Sequence, residues 1–407
     1  MGFQQGLSGL NAASKSLEVT GNNVANSSTV GFKGAKAEFA DVYAASLTGG
    51  GSNQVGIGTQ IGGVVQQFTQ GNVTASNNPL DIAINGGGFF RMSTNGTIDY
   101  SRNGQFQLDK FGHIVNAQGA RLTGYVADAK GVLSTGAPAD ITISTADQSP
   151  QQTTKVKLLI NLDSREAVPV TPVFNPADST SYNRSTAISV FDSLGNSHVV
   201  QAYFVKTGTT ATSSTYDVYQ TVDGSTPAAK LGSLVFSPDG ALTSPQPFAA
   251  SPFPLTNGAS PLNFTVDMTG TTQFGAPFGL NSESQDGFTS GKLSGFSTGA
   301  DGIITGRYTN GKSATLGQVV LANFTNPNGL QNLGNNLYAE TSASGGPLIG
   351  APTSGGLGVL QSSAVEESNV DLTAELVNLI TAQRFYQANA QTIKTQDQVL
   401  QTLVNLR

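Results

Sequence analysis

Residues whose types could support catalysis or metal binding are few in this sequence of 407 residues. The two histidines, His113 and His198, each follow a turn, in DKFGH and DSLGNSH, and neither has a second His or a Cys at metal-ligand spacing. The Asp- and Gly-containing turns at 192–196, 237–240 and 301–302 lack the alternating carboxylates and terminal Glu of a calcium loop. The sequence therefore predicts histidines on surface hairpins and no metal site.

The glycine-rich segments do not match a nucleotide-binding loop. GIGTQIGG at 56–63 departs from the GxGxxG spacing, and neither a following helix nor a surrounding βαβ unit is predicted. The GGG at 86–88 precedes Phe89 and Phe90 and is typical of a turn. No GxSxG motif occurs, and no converging set of acids and bases is evident, although a Ser/His/Asp site need not leave a local motif. We therefore expect a protein that is not an enzyme and binds no cofactor.

Composition narrows the remaining classes. Charged residues make up 11% of the chain, the formal net charge is −6 and the pI is near 4.9. Nucleic-acid binding is disfavoured because it needs clustered Lys and Arg that release counterions from phosphates. The absence of Cys excludes a disulfide framework and thiolate metal sites. The sequence has no run of about 18 apolar residues, so no transmembrane helix is expected. The N-terminus lacks the basic and apolar regions of a secretory signal, so we expect any export to use another route.

The two ends of the chain predict long helices. From Ser368 onward no Gly or Pro interrupts the sequence, apolar residues recur with a four-three spacing, and residues 368–371 can cap the helix start. Residues 1–26 keep the same register. Two helices of an ordinary bundle would show this pattern, but more than 300 residues of β-type sequence separate these two. We therefore expect them to pair as a coiled coil and to form an assembly seam. The predicted seam residues are Phe3, Leu7, Leu10, Leu17, Val24, Leu372, Leu376, Leu379, Tyr386, Ala390, Ile393, Leu400 and Val404.

The sequence between the helices is β-rich and changes character twice. From about residue 80 to 145, short strand patterns alternate with turn dipeptides such as Asn-Gly. After Thr145 the strand patterns lengthen, and twelve of the seventeen prolines fall between Pro150 and Pro277. The earlier pattern returns after about Ser284. We therefore predict a multidomain α+β fold, with paired terminal helices and two mainly-β domains nested in one another.

The predicted domains follow these changes in composition. They are a terminal helical assembly domain with its linker (1–48 with 360–407), a Gly-rich linker (49–71), a discontinuous inner β-domain (72–145 with 285–359) and an inserted outer β-domain (146–284). Within them we expect a short helix at 36–47. We expect a poorly ordered stretch at 49–63 because five of its residues between 49 and 58 are Gly.

Three segments resemble the axial proteins of the bacterial flagellum, the family of rod and hook subunits. GNNVANSSTVGFKGAKAEFADVY at 21–43 is similar to the family's N-terminal motif, and EESNVDLTAELVNLITAQRFYQANAQTIKTQDQVLQTLVNLR looks like its C-terminal helix. LDIAINGGGFF at 80–90, followed by YSRNGQF at 100–106, is similar to the core β-domain. Rod members lack a large insert, whereas residues 182–206 resemble the outer domain of hook members.

The resemblance implies a structural subunit that self-assembles into the curved tubular hook, the flexible joint that transmits torque from the rod to the filament. The implied partners are further copies of the chain, the flagellar rod, the hook cap, the hook–filament junction proteins and the flagellar export apparatus, with no nucleic acid and no membrane insertion. The implied location is the extracellular flagellum, reached without a cleaved signal peptide. Phe39 and Tyr43 resemble a short export element.

Two other readings stay open at this point. The first is a distal rod subunit or another axial flagellar component. The second, from a different class, is a secreted β-rich adhesin, which would not need helical ends in matching register. A hydrolase on a β-scaffold would need converging acid and base residues, and the sequence does not indicate any.

Overall fold

The protein forms two compact units. The computed structural model describes residues 2–42, 56–128, 131–144, 146–226 and 228–405, without the side chain of Leu403. Unit 1 comprises residues 1–145, 295–307 and 313–407, and unit 2 comprises residues 146–294 and 308–312. The fold is mostly β, with two long helices and several sheets. In the described ranges, no helix combines the length and the apolar character needed to cross a membrane.

Both helices belong to unit 1. Helix α1 spans Gly2–Ala25 and helix α2 spans Leu372–Asn405. The 34 residues of α2 make it about 50 Å long. Asp371 caps its start, because its Oδ1 accepts hydrogen bonds from the backbone N–H groups of Thr373 (2.9 Å) and Ala374 (3.1 Å). The two predicted helices are therefore confirmed, and the predicted capping segment includes the residue that caps α2.

A β-hairpin follows α1 and corrects two expectations. Strands β1 (Ala35–Val42) and β2 (Gly58–Gln66) pair antiparallel along their length. The helix predicted at 36–47 is wrong for residues 36–42, and residues 43–47 lie outside the described part of the chain. The stretch expected to be poorly ordered, 49–63, includes the first six residues of β2, although its residues 49–55 lie outside the described part. The reason is that β1 gains its hydrogen bonds from residues 16 to 31 positions further along the chain, a partner that local periodicity does not reveal.

Unit 1 then continues with short strands. They are β3 (Val73–Ala75), β4 (Ile82–Asn85), β5 (Phe89–Thr94), β6 (Thr97–Ser101), β7 (Gln107–Leu108), β8 (Ile114–Val115), β9 (Arg121–Val126) and β10 (Ala139–Asp140). Tight turns joining them use residues with positive φ, such as Asn95 (φ 53°) and Gly96 (φ 92°) between β5 and β6.

Unit 2 is built from longer strands. They are β11 (Lys155–Asn161), β12 (Arg184–Phe191), β13 (Ser197–Thr209), β14 (Ser214–Val222), β15 (Ala229–Phe236), β16 (Phe248–Ala249), β17 (Thr265–Asp267) and β18 (Gly279–Gln285). They form two four-stranded sheets, ordered β12-β13-β14-β15 and β16-β17-β11-β18. Apolar side chains from both sheets share one core, which includes Ile160, Val190, Phe204 and Phe236.

The later strands return to unit 1 and pair with the early ones. They are β19 (Leu293–Thr298), β20 (Ile303–Tyr308), β21 (Ser313–Val319), β22 (Leu321–Asn323), β23 (Gln331–Gly334), β24 (Leu337–Ala339), β25 (Leu348–Gly350), β26 (Val359–Ser362) and β27 (Ala364–Glu366), with a 3₁₀ turn at Pro327–Gly329. Strand β21 pairs with β9, β22 with β5, β24 with β6, β26 with β4 and β27 with β3. Each of these five pairs joins a strand before residue 145 to a strand after residue 312.

Candidate functional site

The contact between α1 and α2 is made by small residues of α1. Gly6 and Ala13 are buried, with Gly9 between them on the same face. A Cβ atom at Gly6 would lie 3.0 Å from Cγ1 of Ile393, and one at Gly9 would lie 2.6 Å from Oδ1 of Asn389. Because these glycines have no side chain, α2 approaches the backbone of α1 closely at this point.

The predicted seam residues lie partly beside this contact and partly on the surface. Half-buried in the chain are Leu10, Leu17, Val24, Leu379, Ala390 and Ile393. Exposed are Phe3, Leu7, Leu372, Leu376, Tyr386, Leu400 and Val404. Four further exposed apolar residues of α2 were not in the predicted seam, namely Val377, Ile380, Phe385 and Val399. We call these eleven exposed side chains the apolar helix surface. Of the predicted seam residues, Ile393 lies against α1, and most of the large side chains face solvent.

A groove of about 800 Å³ lies between the two helices and the β1–β2 hairpin. Small and polar residues line much of it, including Ser16, Asn378 and Thr381. Two aromatic side chains, Phe39 and Phe385, also line it, and both are exposed, by 42% and 61%. The structure therefore places Phe39 of the predicted export element on a strand beside α2. The other residue of that element, Tyr43, lies outside the described residues.

A buried ion cluster joins both ends of the chain to the β-strands of unit 1. The carboxylate of Glu366 lies 2.7 Å from Nζ of Lys33 and 3.2 Å from Nη1 of Arg102, and all three side chains are at most 4% exposed. Lys33 follows α1, Glu366 ends β27 and Arg102 follows β6. We call this cluster the junction. It holds together three segments that are far apart in the sequence.

Backbone groups provide further hydrogen bonds to the junction, although Nε of Arg102 is buried without a hydrogen-bond partner among the described residues. Nζ of Lys33 donates to the carbonyl oxygen of Thr69 (2.8 Å), and the N–H of Gly71 donates to Oε1 of Glu366 (2.9 Å). Arg102 donates from Nη2 to the carbonyl of Gly86 (2.9 Å). These bonds matter because an ion pair buried without them does not recover its desolvation cost.

The local sequence around Lys33 is shaped by a close backbone approach. Gly31 has a φ of +71°, and a Cβ there would lie 2.6 Å from the backbone N of Asn103. The N–H of Gly31 donates to the carbonyl oxygen of Glu366 (2.8 Å). Only glycine satisfies both the left-handed conformation and the contact, so the GFK sequence at 31–33 positions the Lys33 ammonium against Glu366.

Two asparagines hold the ends of the hairpin strands against the helices. Asn23 of α1 donates from Nδ2 to the carbonyl of Ala35 (2.8 Å) and accepts from its N–H at Oδ1 (2.9 Å). Asn369, just before α2, accepts from the N–H of Gly34 (2.8 Å) and donates to the carbonyl of Gln67 (2.6 Å). Each side-chain amide thus gives these backbone groups the hydrogen bonds that a neighbouring strand would otherwise provide.

Burial determines the electrostatics of the junction. Desolvation lowers the pKa of Lys33 from its usual value, and the neighbouring carboxylate of Glu366 offsets part of this effect. Burial likewise lowers the pKa of Arg102, again opposed by Glu366. The charged forms of both cations therefore depend on a single carboxylate. In the sequence, Lys33 and Arg102 stand out only as members of family motifs, and no local pattern marks Glu366 as their partner.

The two histidines are less exposed than predicted. The side chain of His113 is 18% exposed, with Nδ1 3.0 Å from Oδ2 of Asp109. The side chain of His198 is 12% exposed and contacts Asp192 and Asp223. Each follows a turn as expected, His113 directly after one and His198 as the second residue of β13, but a carboxylate partner draws each ring towards the protein. In the part of the chain that the structure describes, no three His, Asp or Glu side chains are arranged to hold a metal ion.

Four family models match this chain in segments that follow the fold. Residues 3–33 match the model described as "Flagella basal body rod protein", and residues 361–406 match "Flagellar basal body rod FlgEFG protein C-terminal". Residues 83–159 match "Flagellar hook protein FlgE/F/G D1 domain", and residues 161–288 match "Flagellar basal body protein FlaE D2 domain". The first two segments contain the helices, and the last lies within unit 2.

Similarity to curated relatives extends over the whole chain. The chain is 42% identical to flagellar hook protein FlgE of Escherichia coli (strain K12) over 416 residues, covering 100% of both chains. It is 44% identical to the FlgE protein of Salmonella typhimurium (strain LT2) over 418 residues, again covering 100% of both. The chain belongs to the flagellar hook protein family. It is a hook subunit, and the rod and adhesin alternatives are not favoured.

More distant relatives agree with this assignment of the hook subunit. The chain is 33% identical to FlgE of Borreliella burgdorferi over 439 residues, covering 99% of this chain and 98% of the relative. Its fold is similar to the crystal structure of Helicobacter pylori flagellar hook protein FlgE2, with a TM-score of 0.55 and 14% identity, covering 72% of this chain and 100% of that one. The second comparison concerns the fold alone.

Proposed function

We propose that this hook subunit assembles into a curved tube by packing its apolar helix surface against neighbouring copies. The observation that carries the proposal is the exposure of that surface. The α1–α2 contact uses small residues such as Gly6 and Ala13, whereas the described residues leave large side chains such as Leu400 (54% exposed) and Val404 (73% exposed) open to solvent. Covering one Leu contributes roughly 1.5–3 kcal/mol, and a helical polymer repeats that gain at every subunit.

Within the tube, we propose that α1 and α2 pair as a coiled coil. Gly6, Gly9 and Ala13 recur at three- and four-residue spacing, which suits a narrow seam on α1. Isolated helices of this length are marginal in water unless another surface buries one face. The paired helices therefore order fully on assembly, and the β-strands of unit 1 keep their fold before it.

Unit 2 is proposed to be an inserted outer domain, nested in the inner domain formed by residues 72–145 with 285–359. Support comes from the segments by which the chain enters and leaves unit 2. Gln148 donates from its N–H to the carbonyl of Gly291 (2.8 Å), and Gln151 donates to the carbonyl of Phe288 (3.0 Å). Entry and exit lie side by side, which is the geometry an insertion requires.

The nesting is tested by deletion of residues 147–283 with a short Gly/Ser linker. Because the entry and exit are adjacent, closing the loop costs little, and we expect a folded subunit that still forms tubes. Outer-domain contacts between copies are the proposed source of curvature, so these tubes should be straight or irregularly curved in electron micrographs. Normally curved tubes would place the origin of curvature in unit 1, and a variant that does not fold would contradict the insertion.

The remaining parts of the proposal concern partners and location. As a hook subunit, the chain would connect to the rod, the hook cap and the hook–filament junction proteins, and it would transmit torque between rod and filament. It would leave the cell through the flagellar export apparatus without a cleaved signal peptide, with Phe39 and Tyr43 in the export element. Its role would be structural, with no catalysis, nucleic acid or membrane insertion.

The assembly surface is tested by a matched pair of substitutions in α2. Leu400→Asp places a charge in the apolar helix surface and should abolish tube formation, measured by sedimentation and electron microscopy above the assembly concentration of the wild type. Gln391→Asp adds the same charge to an exposed polar position of the same helix and should still assemble. Circular dichroism should show that the β-structure is unchanged in both. Full-length tubes from Leu400→Asp would overturn the proposed surface.

A further inference from the structure

His198 lies between two carboxylates that belong to different turns of unit 2. Its Nδ1 is 2.6 Å from Oδ2 of Asp223, in the turn between β14 and β15, and its Nε2 is 3.3 Å from Oδ2 of Asp192, in the turn between β12 and β13. Both ring nitrogens therefore face an acceptor. A neutral imidazole carries one N–H and can donate to only one of them, whereas the imidazolium donates to both.

Asp192 connects this pair to a third segment. Its Oδ2 accepts hydrogen bonds from Nδ2 of Asn257 (2.6 Å) and Nδ2 of Asn196 (2.9 Å). Its Oδ1 accepts from the backbone N–H groups of Leu194 and Asn196, both at 2.8 Å. The side chain of Asp192 is fully buried. It is therefore held as an anion by amide donors, and His198 is the cation available to it.

The neighbouring segments are joined by further bonds. Asp223 accepts from the backbone N–H of Val199 through Oδ1 (2.8 Å), which fixes the start of β13 against the β14–β15 turn. Ser193 accepts at Oγ from the backbone N–H of Ser260 (2.9 Å). The turn at 192–196, the turn at 223–224 and the segment at 257–260 thus meet around one imidazole.

We propose that protonation of His198 locks these three segments of unit 2 together and that its deprotonation releases the Asp223 turn. The charged groups facing the ring are Asp192, from its own hairpin, and Asp223, from the next turn, while the 257–260 segment contributes only the uncharged amide of Asn257. With the proton lost, one of the two contacts becomes a carboxylate facing an unprotonated nitrogen. The contact with Asp223 is the one released, because that carboxylate is 48% exposed and can turn to solvent.

The direction of the pH dependence follows from the balance at the ring. Burial by itself lowers the pKa of His198, but the hydrogen bonds and charges of Asp223 and Asp192 outweigh it, and the pKa is raised above its usual value near 6.5. A raised pKa in the folded state means that the contribution to stability is complete below about pH 6.5 and is lost as the pH rises through the folded value. The lock is therefore closed in mild acid and open in alkali.

The first test is a titration of the full-length monomer from pH 5 to pH 10, followed by NMR of the imidazole C–H groups. The chain has only two histidines, so His113→Gln assigns the His198 signal and is the control variant. We expect a midpoint above 6.5 for His198, and Asp223→Asn should move it downward. A midpoint at or below 6.5, or one that Asp223→Asn leaves unchanged, would overturn the proposal.

The second test measures order where the Asp223 turn meets β13. Amide hydrogen exchange at Val199, whose N–H donates to Asp223, should accelerate above the His198 midpoint in the wild type and in His113→Gln, after correction for the intrinsic pH dependence of exchange. His198→Gln should remove this step, because the amide does not titrate. An equal step in His198→Gln would mean that another group controls the segments and would contradict the lock. This inference concerns unit 2 alone and does not depend on the mode of tube assembly.

Discussion

Unit 2 and the terminal helices use their apolar residues in opposite ways. In unit 2 the large side chains of both sheets face one core, where Val190, Phe204 and Phe236 are fully buried. In α1 and α2 buried positions such as Gly6 and Ala13 are small, the eleven large side chains of the apolar helix surface are exposed, and other large ones such as Leu10 are half-buried. Unit 2 thus buries the apolar side chains of its core within one chain. The helices instead leave large apolar side chains exposed for contact with another surface.

The hook subunit therefore has two sources of stability, one from burial within the single chain and one from contact between copies. Removal of apolar surface from water contributes about 25 cal/mol per Å² wherever it occurs, so the exposed helix side chains represent free energy that is not gained by the single chain. The β-core of unit 2 should therefore be insensitive to assembly. The helices should gain most of their stability when copies meet, which gives the following substitutions different expected outcomes.

The largest effect is expected in the core of unit 2. Phe204→Ala removes a fully buried ring and leaves a cavity, which should lower the free energy of unfolding by about 3–5 kcal/mol. Val170→Ala, at a position 89% exposed, should change it by less than about 0.5 kcal/mol. Urea unfolding of the monomer followed by tyrosine fluorescence measures both. Similar values for the two variants would contradict the assignment of the core.

The next effect concerns the junction, which is buried like a core but charged. Glu366→Gln leaves Lys33 and Arg102 without a counterion and should cost about 3 kcal/mol, at the lower end for breaking a buried ion pair because the amide oxygen can still accept from the N–H of Gly71. Glu367→Gln, at the neighbouring exposed position, is the control and should have little effect. Thermal unfolding of unit 1 distinguishes them, and equal stability of the two variants would refute the role of the junction.

A smaller effect is expected where α2 approaches α1. Gly21→Ala should stabilise α1 by about 0.5–1 kcal/mol, since a Cβ there meets no described atom within 4 Å. Gly9→Ala gains the same helix propensity but displaces Asn389, whose Nδ2 donates to the carbonyl of Phe385 (2.9 Å). Tubes of Gly9→Ala should therefore dissociate at a lower temperature than tubes of Gly21→Ala. The reverse order would contradict the small-residue contact.

The smallest effect is an acid-dependent one in unit 2. Hydrogen bonds from Arg165 lower the pKa of Asp163 to about 2. A lowered carboxyl pKa contributes stability above about pH 3.8 that is lost as the pH falls towards 2. Asp163→Asn should remove this part of the acid dependence of unfolding and lower stability at neutral pH by the same small amount, because Arg165 is 62% exposed and solvent screens the pair. A large loss of stability at pH 7 would show that Asp163 has another role.

Local periodicity was sufficient to predict both helices and four of the eight strands of unit 2, β11 to β14. In β14, the sequence STYDVYQTV alternates, and from residue 214 to residue 219 its side chains alternate between buried and half-buried as that pattern predicts, whereas the last three are all buried. In unit 1 the short strand patterns between turn dipeptides likewise coincide with strands, as at Phe89–Thr94, Arg121–Val126 and Ile303–Tyr308. These elements are determined by neighbouring residues, so a single sequence carries the information.

Features that depend on distant partners were not predictable in the same way. The pairing of β1 with β2 replaced a predicted helix, because strand partners are chosen across an intervening segment. The contact face of α1 was missed because a search for large apolar residues passes over Gly6, Gly9 and Ala13. The junction was missed because Lys33 and Glu366 are 333 positions apart, and nothing local marks them as a pair.

The contrast between the two regions is tested most directly by amide hydrogen exchange of the monomer and of assembled tubes of the wild type. The account predicts that α1 and α2 exchange rapidly in the monomer and become strongly protected in tubes, whereas the strands of unit 2 show the same protection in both. Limited proteolysis of the monomer should likewise remove both helices first. Strong protection of residues 2–25 and 372–405 in a verified monomer, or no gain in tubes, would contradict the claim that the helices gain their stability from neighbouring copies.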